Sequence, residues 1–111
     1  MRRAILWIVV IACLAVVGWA YRRDAEVEQG KKAFRRAGCG ACHLSGGAPN
    51  LQNVSKRYEN KRLMEFIVDP DAVYRGRGMQ PLNPGYPRMP RPGVSKTEAA
   101  AIVAYLDTLK D

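Results

Sequence analysis

From Ala4 to Tyr21 the chain reads AILWIVVIACLAVVGWAY, with no charged position and no polar face. A run that is apolar all round predicts a helix surrounded by hydrocarbon, not one resting a single stripe on a core. As a helix it spans about 27 Å, just enough to cross a bilayer core of roughly 30 Å. Trp7, Trp19 and Tyr21 lie towards its ends, where amphipathic rings favour the interface, and the pairs Arg2-Arg3 and Arg22-Arg23 close both sides. The rival readings are a cleaved signal peptide, with Gly18-Trp19-Ala20 as a small-x-small site, and a lipidated Cys13 after Val10-Ile11-Ala12. The length of the run favours a retained transmembrane anchor over residues 1–23, in which Cys13 is a small apolar residue.

The pattern then changes. Ala25, Val27, Ala33 and Phe34 are among the apolar positions of a helix expected from Asp24 to about Ala37, and with so little chain between the two segments it is free to continue the first. Asn60 is placed to cap a short helix, Lys61 to Val68, with Leu63, Phe66 and Ile67 as its core face and Asp69-Pro70 as its end. Pro70 to Gly93 is rich in proline and glycine without a period and reads as a long irregular loop, which a compact domain keeps only for a reason. Ser95-Lys96-Thr97-Glu98 is a capping box, followed at helical spacing by Ala99, Ile102, Val103, Leu106 and Leu109. No segment alternates as a strand does. The expectation is an all-α chain: one transmembrane helix, then a single domain over residues 24–111. At fewer than about 90 residues that domain is marginal on burial alone, and a bound group fits its need.

Charge refines the picture. Eighteen Lys and Arg stand against ten Asp and Glu, a net +8, but the four arginines flanking the apolar run belong to the membrane argument. Of the basic residues that remain, Lys31, Lys32, Arg35 and Arg36 are clustered. Such a run is a solvated helix face or a docking surface for an acidic partner or for anionic membrane lipid. No nucleic-acid motif or aromatic interleaving accompanies it, so nucleic acid is not an expected partner.

The strongest chemical signal is Cys39-Gly40-Ala41-Cys42-His43. Two thiols one short turn apart can add to the two vinyl groups of one haem, and the adjacent histidine is left on one face of the macrocycle to bind iron. A thioredoxin-like dithiol would want a βαβ setting, and a zinc site would want about four Cys or His ligands. His43 is the sole histidine and Cys13 lies in the apolar run. With one axial position left and no second histidine, methionine is the expected sixth ligand, with lysine, water or nothing as the alternatives. Met64 sits beside Leu63 and Phe66, as a core residue would. Met89, in Tyr86-Pro87-Arg88-Met89-Pro90-Arg91-Pro92, has a backbone stiffened by prolines, which lowers the entropy lost in holding a ligand. Met79, in Gly76-Arg77-Gly78-Met79, is the alternative on a looser backbone.

Cys39 to His43, Met89-Pro90 and the closing Ala104-Tyr105-Leu106 together resemble the class I c-type cytochromes, over essentially all of Asp24 to Asp111. The resemblance implies a small cytochrome c-like haem domain with one covalently attached haem c. It implies that the first and last helices cross at Gly30, Phe34 and Tyr105. It further implies that the Pro49 carbonyl accepts the second ring N–H of His43, and that Arg57 lies near the haem propionates. Family members are loaded with haem outside the cytoplasm, so the domain is expected on the periplasmic side of a bacterial inner membrane. The implied function is single-electron transfer to or from a redox partner or complex in that membrane, without catalytic residues. The alternative is a haem enzyme or gas sensor with an open sixth site.

Overall fold

A computed structural model describes residues 1–79, 83 and 85–111. Among these the chain forms six helices: α1 Arg2–Arg36, α2 Cys39–His43, α3 Val54–Arg57, α4 Asn60–Val68, α5 Pro70–Arg75 and α6 Lys96–Asp107. No strand occurs among the described residues.

The apolar run and the helix after it form one element. α1 continues for 35 residues, about 52 Å, without a break at Arg23 or Asp24. Nothing between Tyr21 and Ala25 is a helix breaker, so the backbone has no reason to leave the helix. The N-terminal part is long and apolar enough to cross a membrane, and none of its most apolar window is buried against the rest of the chain. Gly30, Ala33 and Phe34 are its only buried residues.

Those three positions meet α6. A Cβ built on Gly30 would overlap the carbonyl group of Ala101, so the two backbones touch where glycine leaves room. One turn later the Phe34 ring meets Tyr105 edge to face, centroids 5.4 Å apart. Ion pairs join the helices on either side of this contact. Arg23 reaches Asp107 at 3.1 Å, and Arg36 pairs with Glu98. The pairing order runs in opposite directions along the two helices. Arg23 also lies over the Trp19 ring, 5.5 Å from its centroid.

α6 is central because its apolar residues face several elements at once. Ala99, Ile102, Val103 and Leu106 form one core with Ala33 and Phe34 of α1, Val54 of α3, Leu63 and Ile67 of α4, and Val94. Its start is the expected capping box: Ser95 Oγ accepts from the Glu98 amide at 3.1 Å, and Glu98 Oε1 accepts from the Ser95 amide at 3.3 Å. The other carboxylate oxygen of Glu98 carries the ion pair to Arg36.

Two expectations are corrected. Asn60 does not cap α4; Glu59 occupies the cap without a side-chain hydrogen bond, and Asn60 is the first helical residue. The stretch from Pro70 to Gly93 is not irregular throughout, because α5 occupies Pro70–Arg75. Asp69 ends α4 and begins α5: its carboxylate accepts from the Ala72 amide at 3.3 Å. Proline in the first turn loses nothing, since its missing N–H would have had no partner there. Positions 80–82 and 84 of that stretch lie outside the described residues.

Candidate functional site

α1 ends at Arg36, and Gly38, at φ +75°, reverses the chain into α2. A left-handed residue is required at this turn, and glycine adopts it without a Cβ penalty. α2 is the Cys39-to-His43 segment itself, so both thiols and the imidazole belong to little more than one helical turn. Both cysteines are free thiols. Cys39 is half-buried against the core, and burial pushes its thiol above the usual range despite an opposing backbone hydrogen bond. It therefore stays protonated at neutral pH.

His43 is fixed by the loop that follows. Its Nδ1 lies 2.8 Å from the Pro49 carbonyl oxygen. A carbonyl can only accept, so Nδ1 carries the hydrogen, and in the neutral ring Nε2 keeps its lone pair for a metal. The loop closes back on α2 through the Ala48 amide to Cys42 oxygen, 3.1 Å, and Ser45 Oγ to Ala41 oxygen, 2.6 Å. Its far end is held by the chain beyond α6. The Asn53 amide donates to the Leu109 carbonyl at 2.6 Å, and Asn53 and Asp111 bond reciprocally, at 3.2 and 3.0 Å. Arg57, exposed at the end of α3, donates to the Asn50 carbonyl at 3.3 Å, next to the residue that holds His43.

The two methionines share a different setting. Met79 and Met89 line one cleft of about 640 Å³, together with Arg75, Arg88 and Asp71. Met79 is 46% exposed and adopts φ +65°. Met89 is half-buried, and its amide donates to the Tyr74 hydroxyl at 2.7 Å. Cys39, Cys42 and His43 do not line this cleft. The structure thus brings His43 to Pro49, Arg57 to Asn50 and Met79 to Met89, as three separate groupings. Tyr74 escaped the sequence reading, since nothing local marks a tyrosine whose hydroxyl serves a residue fifteen positions on.

The donor set fits a covalently bound haem. Two free thiols and an imidazole with an available Nε2 lie within one short helix, and the imidazole is held through its other nitrogen.

The family model for Cytochrome c matches residues 27–110. Cytochrome c oxidase subunit 2 of Alkalihalophilus pseudofirmus is 31% identical over 113 aligned positions, covering 83% of this chain. The chain spans 30% of that relative's length. No solved structure matches the chain significantly.

Proposed function

The chain belongs to the cytochrome c family, and we propose that it is a membrane-anchored electron carrier with one haem, serving a redox partner or complex in the same membrane. Residues 1–23 are the anchor and residues 24–111 the haem domain. The observation that carries the reading is the 2.8 Å approach of His43 Nδ1 to the Pro49 carbonyl within the turn that holds both thiols.

Bound haem supplies a one-electron iron couple. Cys39 and Cys42 would hold it by thioether bonds, which would keep it in place in either oxidation state. His43 offers Nε2 as the proximal ligand, and the Pro49 carbonyl fixes the tautomer and raises the basicity of the ring. Met89 would supply the second protein ligand, a thioether that favours the ferrous state relative to a second imidazole. Met79 is the alternative donor. Arg57 donates to the Asn50 carbonyl of the Pro49–Asn50 loop and would be a cation for the haem propionates.

The uncharged span of α1 sits in the bilayer with the haem domain on the periplasmic side of a bacterial inner membrane. Flanking charge is balanced, since Arg2 and Arg3 face Arg22 and Arg23. Haem attachment outside the cytoplasm, as the family has it, sets the direction. The unbroken helix through Arg23 and the ion pair from Arg23 to Asp107 leave the domain no tether on which to swing. Short reach favours a fixed place in a complex, and the likeness to an oxidase subunit supports a respiratory one. Lys32 and Arg35 are exposed on α1, free to meet acidic side chains of the partner or lipid phosphates.

Carbon monoxide separates the carrier from a haem enzyme or gas sensor with an open site. Addition to the reduced full-length protein in detergent should change its spectrum little. Stoichiometric binding at micromolar gas would overturn the carrier reading.

A further inference from the structure

Tyr74 holds both candidate methionines, through different atoms. Its backbone carbonyl accepts the Met79 amide at 2.8 Å, at the turn that follows α5. Its hydroxyl accepts the Met89 amide at 2.7 Å, across the intervening stretch of chain. The side chain that makes the second bond is itself immobilised. Tyr74 is 3% exposed, and its ring packs edge to face on Phe66 of α4, centroids 5.6 Å apart. The two thioethers therefore line one cleft with unequal support. Met79 is tied only to the backbone of the adjacent turn, in a left-handed conformation that costs a residue with a side chain free energy, and it is the more exposed of the two. Met89 is tied to a buried ring by a hydrogen bond spanning fifteen residues.

On the reading that a methionine is the sixth ligand, we propose that Tyr74 is the positioning residue for it: the hydroxyl fixes the Met89 backbone and so favours Met89 over Met79 as the thioether presented to the iron. The prolines on either side of Met89 stiffen the segment but, lacking an N–H, donate nothing that would locate it. The Tyr74 hydroxyl supplies the fixed point. Because Met79 hangs from the Tyr74 carbonyl, which no side-chain substitution removes, loss of the hydroxyl releases Met89 alone. The balance between the two thioethers then shifts towards Met79.

Tyr74→Phe tests this while keeping the ring against Phe66. The measurements use the full-length ferric protein in detergent: the red methionine-to-iron absorption band, and a titration with imidazole, which competes with the thioether. Met89→Ala is the control for the premise. Loss of the band there places the ligand at Met89; an undiminished band places it at another thioether and overturns the proposal, while absence of the band from the parent protein removes the premise. Given that loss, Tyr74→Phe should raise the affinity for imidazole by about three- to tenfold, the change that one ordinary hydrogen bond supplies. Met79→Ala should change the affinity for imidazole less in the parent protein than it does in Tyr74→Phe. Added to Tyr74→Phe it should raise imidazole affinity further and remove part of the remaining band. A purely structural role for Tyr74 would lower the melting temperature and leave the affinity for imidazole at the parent value, and that result would overturn the proposal. So would a Met79→Ala effect that is the same with and without the hydroxyl.

Discussion

Gly30 lies so close to Ala101 that a side chain of any size on Gly30 would overlap the Ala101 carbonyl. The overlap is with backbone, so no rotamer change relieves it and α1 would have to move off α6. The core built on Ala33, Phe34, Ile102 and Leu106 depends on that approach. Gly30→Val is therefore expected to destabilise the domain by about 2 to 3 kcal/mol. Gly18→Ala, where nothing lies within 4 Å of the added carbon, is the neutral comparison in the same helix. Thermal unfolding of the two haem-loaded variants beside the parent checks both.

Asp107 gives a pH dependence with a definite direction. Partial burial alone would raise its carboxyl, but hydrogen bonding to Lys110 and attraction from Lys110 and Arg23 outweigh it, leaving the group below its ordinary value of 3.8. A carboxyl lowered by folding stabilises the folded state above its unfolded value, and the stabilisation fades as pH falls through the folded value. The group is partly exposed, so solvent screening keeps the effect small. Asp107→Asn is expected to melt lower than the parent near neutral pH, with the gap closing below about pH 4. Melting temperatures across pH 3 to 7 provide the check; a gap that widens in acid would contradict the ion-pair account.

The proposed rigid attachment of the domain to a membrane anchor can be examined by inserting about 20 flexible residues after Arg23, enough for a reach of some tens of ångströms. The insertion leaves Gly30 against Ala101, so the haem domain keeps its fold. A fixed subunit is expected to lose electron-transfer rate or to dissociate from its complex. Unimpaired turnover in membranes would point to a shuttling carrier.

What the sequence made legible is what local chemistry encodes. The capping box at Ser95 and Glu98 and the uncharged run from Ala4 to Tyr21 announce helices because caps and solvation act over a few residues. The crossing at Gly30 followed from family resemblance, as no local rule pairs positions 30 and 101. α5 was hidden because Asp-Pro both ends one helix and opens another, and only its terminating sense was used. Lys31, Lys32, Arg35 and Arg36 read as a uniform basic face, yet Arg36 is committed to Glu98, and Lys31 is half-buried. Such pairings join residues distant in sequence, as Arg23 and Asp107 are, and no periodicity records them. The Tyr74 hydroxyl was invisible for the same reason.

Cys39 and Cys42 are expected to hold one haem covalently beside His43. The most direct test is to denature the full-length protein under reducing conditions, stain the gel for haem and take the pyridine spectrum against protein mass. The expected result is one haem per chain that remains with the polypeptide, with the spectrum of a haem whose two vinyl groups are saturated. Haem that extracts into acidic acetone, or a spectrum with intact vinyl groups, would contradict the account.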